Sequence, residues 1–369
     1  MDLELTDDQL ELRDNIRTVL ADASPPSLAR EIHEGHGDHH QLWSTMVELG
    51  WPALGVPEAD GGIGLGFVEV GLLAEELGRA TSPGPLLATV SQFVPALIEF
   101  GAHDLLAEVA AGSATGSLAL GEGSRWGRSQ VATTVSGSDN RLNGCKSAVL
   151  SGAHVDHFVV VARDTSSGHL GLYIVDRAHA VIHEAGLIEP TLGLADVSFD
   201  DVPSRVLAPA TADTSARIAR VIDQAETAMA LHVVGACRRI MEITLDYSKV
   251  RVQYDKVIGS FQALKHRFAD MFLAVERANA AAYFAAVAIA EDDARRNEAA
   301  HLAKAAAGDC QALLVRDGLQ LHGGIGFTWE NDLHFWLKRA KAGEFLCGSS
   351  HHHRAELAAS LGLIPEVAQ

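Results

Sequence analysis

Cysteine is scarce in this sequence. The four residues Cys145, Cys237, Cys310 and Cys347 lie far apart, with no CxxC or zinc-type spacing. That excludes a disulfide scaffold and implies reduced thiols, buried or half-buried. Positive charge is also in short supply: 29 Lys and Arg against 48 Asp and Glu leave a formal net charge of −19. Nucleic acid needs clustered cations on its partner, so it is excluded as a ligand. No uninterrupted apolar run reaches the roughly 20 residues that span a bilayer. The acidic, amphipathic start "MDLELTDDQLELRDN" is unlike a signal or transit peptide. These absences lead to the expectation of a cytoplasmic chain that makes no membrane contact. Internal repeats and low-complexity linkers are missing as well.

What is present falls into three textures. Thr6 and Gln9 form a capping box ahead of Leu12, Ile16, Val19 and Leu20, which recur at helical spacing. "HQLWSTMVELG" and "FVEVGLLAEELGR" continue as helices on either side of "EADGGIGLG". That Gly run follows no strand, so it is a turn rather than a phosphate loop. From about residue 116 short β-rich runs such as "DHFVVVARD" and "HLGLYIVDR" alternate with turn residues up to about Pro209. Long Ala- and Leu-rich helical segments then follow at 214–251, 262–293, 295–321 and 332–360. The fold class expected is α+β, with an N-terminal helical domain (1–115), a middle antiparallel β-domain (116–210) and a C-terminal antiparallel four-helix bundle (211–369).

Two stretches are more specific: "RVQYDKVIGSFQALKHRFADM" (Arg251 to Met271) and "DGLQLHGGIGFTWENDLHFWLKRAK" (Asp317 to Lys341). Arg251 offers a planar fork of donors suited to a diphosphate. Gly323 and Gly324 let backbone N–H groups approach an anion or a flat ring. With the helix–β–helix order, these stretches make the chain resemble the acyl-CoA dehydrogenase family along essentially its whole length. The resemblance implies an acyl-CoA substrate and an FAD whose adenosine diphosphate half, bound to the neighbouring subunit, is held by Arg251, Gln253, Phe261, Gln262, Gln320, Gly323 and Gly324. In the family a Glu removes the α-proton of the thioester while the β-hydrogen leaves as hydride to the flavin, and an electron-transfer flavoprotein takes the electrons.

The catalytic base departs from that pattern. The commonest family base precedes Gly-(Ser/Thr)-Ser, and here that slot holds Cys347, followed by Gly348, Ser349 and Ser350. A thiol is poorly matched to this proton, which makes Cys347 a bystander. A second family branch keeps its Glu on the first bundle helix, a position that falls on Ala225. Glu226 is one residue away, roughly 100° around the helix. It is a weak candidate base, and a solvated face or a salt bridge is its ordinary explanation.

The β-domain departs as well. Where the family has a Trp and a hydroxyl residue at the flavin, "NGCKSAVLSG" has Ala148 and Leu150, and "GEGSRWGRS" replaces the usual glycine loop. The asymmetry resembles the base-less subunit of the α2β2 acyl-CoA dehydrogenases of actinobacterial steroid catabolism. That implies a paralogous catalytic partner and a steroid side-chain thioester. The alternatives are a self-sufficient homo-oligomer with Glu226 as base, or a scaffold that keeps only the fold. No metal is expected: His351, His352 and His353 are adjacent and diverge by about 100° each. His33, His36, His39 and His40 read as part of an exposed loop.

Overall fold

The structure, a computed structural model, describes residues 4–184 and 188–364. The outermost residues of the first and third expected domains, 1–3 and 365–369, fall outside that range. Helices α1 (Asp7–Ala23), α2 (Pro26–His33), α3 (His40–Glu48), α4 (Phe67–Arg79), α5 (Leu86–Ala88), α6 (Val94–Phe100) and α7 (His103–Ala110) precede the strands. After them come α8 (Ala212–Val250), α9 (Gln262–Ala290), α10 (Arg296–His322), α11 (Leu333–Phe345) and α12 (Ser350–Ser360). The chain divides into two compact units. One holds the residues up to Gly37, Gly71–Ser82 and Glu226–Leu363; the other holds Asp38–Val70 and Pro83–Ala225.

The second unit is organised by a sheet of eight strands among the described residues. These are β1 (Gly116–Ala119), β2 (Thr134–Ser136), β3 (Arg141–Val149), β4 (His157–Asp164), β5 (Leu170–Asp176), β6 (Val181–Glu184), β7 (Ala195–Pro203) and β8 (Arg205–Ala208). Their order is β6-β7-β3-β2-β4-β5-β8, with β1 also on β4. The expected sheet was wholly antiparallel. Most pairings are, but β1 and β2 both pair with β4 in parallel. Each is separated from β4 by further chain, as a parallel pairing requires. Run length and turn residues carry no information about that direction.

β4 shows why the sheet is buried on both faces. Val159 and Val161 enter a cluster with Phe93, Leu97 and Leu105, while Phe158, Val160 and Ala162 enter another with Leu142 and Phe199. Alternate residues of a strand point to opposite faces, so an unbroken apolar run serves two cores.

In the first unit α1 begins at the expected capping box: Thr6 Oγ1 accepts from Gln9 N at 3.2 Å, and Gln9 Oε1 accepts from Thr6 N at 3.0 Å. Ile16 and Leu20 are its buried residues. The first three bundle segments match α8, α9 and α10 to within three residues. The fourth does not: it is two helices, broken at Leu346–Ser349. Cys347 (φ 57°) and Gly348 (φ 87°) are both left-handed, which stops α11, and Ser349 Oγ then caps α12 by accepting from His352 N. Two glycines bring α4 and α8 close together. A Cβ on Gly78 would stand 1.9 Å from the His232 carbonyl oxygen, and one on Gly235 would stand 1.9 Å from that of Glu75.

Arg339, fully buried on α11, donates to the Thr81 and Ser82 carbonyls and contacts His232 Nε2 at 3.1 Å. Despite the absence of an uninterrupted apolar run, α9 is long and apolar enough by length and composition to cross a membrane. Its most apolar stretch is 44% buried inside the protein, as a bundle helix would be.

Candidate cofactor half-site and a buried polar cluster

The expected cofactor residues gather at one end of the helical bundle. α8 ends there, α9 begins there and α10 returns there. Tyr247, one turn before Arg251, stacks on His322 with ring centroids 4.5 Å apart, and His322 immediately precedes Gly323. That stack ties the end of α8 to the glycine turn. Between α8 and α9, β9 (Val252–Gln253) and β10 (Lys256–Val257) form a small hairpin, and Tyr254 at its tip meets Phe261 edge-on. On the facing helices Arg267 approaches Asp317 at 3.8 Å, one turn before Gln320. Arg251, Gln253, Gln262, Gln320 and Gly324 are exposed, and Phe261 and Gly323 are half-buried.

These residues fit the diphosphate end of a dinucleotide. Gly323 has φ 62° and ψ −141°, a conformation essentially reserved for glycine. A Cβ on Gly323 or Gly324 would meet nothing within 4 Å, so this backbone faces open space that a ligand can enter. Arg251 supplies the fixed charge and the glutamines supply amide donors. Val250, Val252, Tyr254, Phe272, Leu273 and Phe327 are exposed around or near the same elements, an apolar surface of the kind that partner subunits cover.

Cys347 sits in the break between α11 and α12. Its thiol is buried and pushed up to about 12 by that burial, so it stays protonated and is neither base nor nucleophile. Of the two ordinary explanations for Glu226, a solvated face is excluded and an ion-pair contact with histidines is found. Glu226 is 1% exposed, with Oε2 3.3 Å from His301 Nδ1 and 3.8 Å from His353 Nδ1. The two Nδ1 atoms are 2.9 Å apart, and His353 Nε2 donates to the Cys347 carbonyl at 2.7 Å. Burial lowers His353 to about 4. Nearby, Lys304 is buried, lowered to about 8, and donates to the Gly343 and Glu344 carbonyls.

The histidine triplet differs in burial: His351 is exposed, His352 half-buried and His353 buried. Its members do diverge, but His353 turns inward and meets Glu226 of α8 and His301 of α10. Sequence reasoning missed His301 and Lys304, although both interrupt an Ala-rich helix three residues apart, on one face. The other histidines also depart from a single exposed loop. His33 ends α2, packing on Phe335 at 4.9 Å, while His39 lies against His154 at 4.7 Å. Burial lowers His39 to about 4. Cys145 is exposed rather than buried or half-buried.

In the sheet unit, Ala148 is exposed at φ 51° and Leu150 is buried. Lys146 of "NGCK" is wholly buried, its Nζ donating to Glu122 at 2.6 Å, and Glu122 also accepts from the Ala132 and Thr133 amides. The 121–129 loop is thus held by an internal ion pair. Arg125, Arg128 and Arg163 line a recess of about 620 Å³ beside it.

Helices, an eight-stranded sheet among the described residues and further helices follow one another along the chain in the order of a flavoprotein dehydrogenase class. Residues 6–117 match the family description "Acyl-CoA dehydrogenase, N-terminal domain", and residues 216–362 match its C-terminal domain. Acyl-CoA dehydrogenase IpdE2 of Mycobacterium tuberculosis is 31% identical over 333 residues, 89% of each chain. A variant of the Tcur3481-Tcur3483 steroid ACAD superposes with TM-score 0.85 at 27% identity, covering 97% of this chain and 98% of that one. Butyryl-CoA dehydrogenase of Megasphaera elsdenii shares the fold, with TM-score 0.83 at 23% identity over 98% of this chain and 100% of its own. This chain belongs to the acyl-CoA dehydrogenase family of oxidoreductases acting on CH–CH bonds.

Proposed function

We propose that this chain is the base-less subunit of a heteromeric acyl-CoA dehydrogenase, lending an FAD half-site to a paralogous subunit that carries the catalytic Glu. The observation that carries this reading is the split between its two kinds of site. Cys347 fills the usual base position as a buried, protonated thiol, while Arg251, Gln253, Gln262, Gln320 and Gly324 remain exposed at the bundle end. Bound there, FAD would supply the two-electron oxidation of the substrate's Cα–Cβ bond. Arg251 would hold the diphosphate, the Gly323–Gly324 backbone would let it approach, and Gln262 and Gln320 would orient it.

A steroid side-chain thioester is the substrate class that agrees with the steroid ACAD at 27% identity. An electron-transfer flavoprotein would be the electron acceptor. The competing reading, Glu226 as base of a self-sufficient homo-oligomer, has to overcome that carboxylate's burial between two histidines.

The test is to purify the chain alone and together with a paralogous subunit that retains the Glu, then measure flavin absorbance and turnover. Flavin and activity are expected only for the pair, and Arg251→Ala should lower the pair's flavin content. A yellow, active oligomer of this chain alone would refute the proposal. If Glu226→Gln then abolished that turnover with flavin retained, Glu226 would be the base.

A further inference from the structure

We propose that Glu226, His301 and His353 form a binding site for one divalent cation of the zinc class in the interior of the helical bundle. Each ligand comes from a different helix: α8, α10 and α12. One donor atom from each residue lies within 4.8 Å of the other two. The triangle they form has edges of 2.9, 3.3 and 3.8 Å. A tetrahedral zinc with bonds of about 2.0–2.1 Å spaces its ligand atoms by roughly 3.3 Å, the middle of that range. Little rearrangement is needed, because all three side chains are carried on regular helices.

The hydrogen bonding also prepares the donors. His353 Nε2 donates to the Cys347 carbonyl at 2.7 Å, which leaves Nδ1 as the lone-pair nitrogen and aims it at the cluster. A ring N–H held by a carbonyl is the usual outer partner of a metal-bound histidine. Two imidazole nitrogens at 2.9 Å need either a hydrogen or a cation between them. The cation would replace that hydrogen, and Glu226 would supply the anionic ligand. Two nitrogens and one carboxylate oxygen suit zinc, and also cobalt or nickel, better than calcium or magnesium. His301 has the most accessible side chain of the three, at 10% exposure. Bound there, the ion would pin α12 to α8 and α10 and hold the turn around Cys347.

The site is independent of the base-less reading, and its test does not use activity or flavin. The full chain, purified with its partner subunit if the pair is obligate, is stripped with EDTA. It is then titrated with ZnCl2 by calorimetry and with CoCl2 by visible absorbance. One equivalent per copy of this chain, cobalt d–d bands, and a Tm rise of about 3–8 °C at saturating zinc are expected. His301→Gln and Glu226→Gln should each abolish the cobalt bands; the conservative size of both changes preserves the fold, which far-UV circular dichroism checks. No binding by the wild-type chain overturns the proposal, as does cobalt binding that survives in both variants.

Discussion

Replacing Gly235 with Ala gives a prediction in which two physical effects oppose each other. Intrinsic helix propensity alone predicts a gain of about 1 kcal/mol. The structure predicts the reverse. The added Cβ would lie 1.9 Å from the Glu75 carbonyl oxygen and 3.0 Å from Arg79 N. Ordinary contact begins near 3.4 Å, so α4 and α8 would have to separate locally by about 1.5 Å. Overpacking a core costs about 1–3 kcal/mol, and a backbone oxygen cannot rotate aside as a side chain can. With the cost at the upper end of that range, the net loss is about 2 kcal/mol. That corresponds to a fall in Tm of about 4–8 °C, measurable by calorimetry or circular dichroism. Gly324→Ala, where a Cβ meets nothing within 4 Å, is the control and should leave Tm unchanged. A Gly235→Ala chain as stable as the wild type would show that α4 and α8 do not cross as described.

Iodoacetamide at pH 8 should label Cys145 first, leaving Cys237, Cys310 and Cys347 protected until the chain unfolds; peptide mass mapping reads this, and early labelling of Cys347 would contradict its buried, protonated state. An unfolded lysine keeps its proton to about 10.5, whereas burial brings Lys146 down to about 8, so between these values the unfolded chain binds more protons and stability rises with pH. Lys146→Met should remove that contribution, and a wild type whose stability from denaturation curves at pH 8, 9 and 10 changes with pH no differently from the variant's would refute it. Arg339→Met leaves the Thr81 and Ser82 carbonyls and His232 without this donor and should cost about 1–3 kcal/mol for each group left unsatisfied, read from the shift in denaturation midpoint. Tyr247→Ala should weaken flavin retention in the assembled enzyme while leaving far-UV circular dichroism intact, because it removes the stack that ties α8 to the glycine turn.

Much of the fold was legible because local chemistry specified it. The Thr6–Gln9 box set the start of α1, and Ala- and Leu-rich periodicity set α8, α9 and α10 to within a turn. Strand direction was not legible, since β1 and β2 join β4 through pairings distant in sequence. The break at Leu346–Ser349 was hidden for another reason. Cys347 takes a left-handed conformation that its residue type does not advertise, unlike a glycine or asparagine.

The site divided along the same line. Arg251, Phe261, Gln262 and the Gly323–Gly324 pair could be picked out because they belong to two continuous stretches, and the chain ends of α8, α9 and α10 bring those stretches together. Glu226, His301 and His353 lie on three helices and meet only through packing, so no spacing rule connects them. Taken singly, the acid has a solvated face or a salt bridge as its ordinary explanation, and the histidine belongs to a triplet whose members diverge. Convergence changes the meaning of each. A carboxylate taken out of water needs polar or charged partners, and two imidazoles stand within 4 Å of this one. The turn at Cys347 offers the carbonyl that orients His353. A Cys347→Glu chain would put a second carboxylate beside Glu226, and like charges at that range disfavour burying both. Cys347→Glu on its own should therefore fail to yield an active homo-oligomer, and turnover by that variant without a partner subunit would refute the argument.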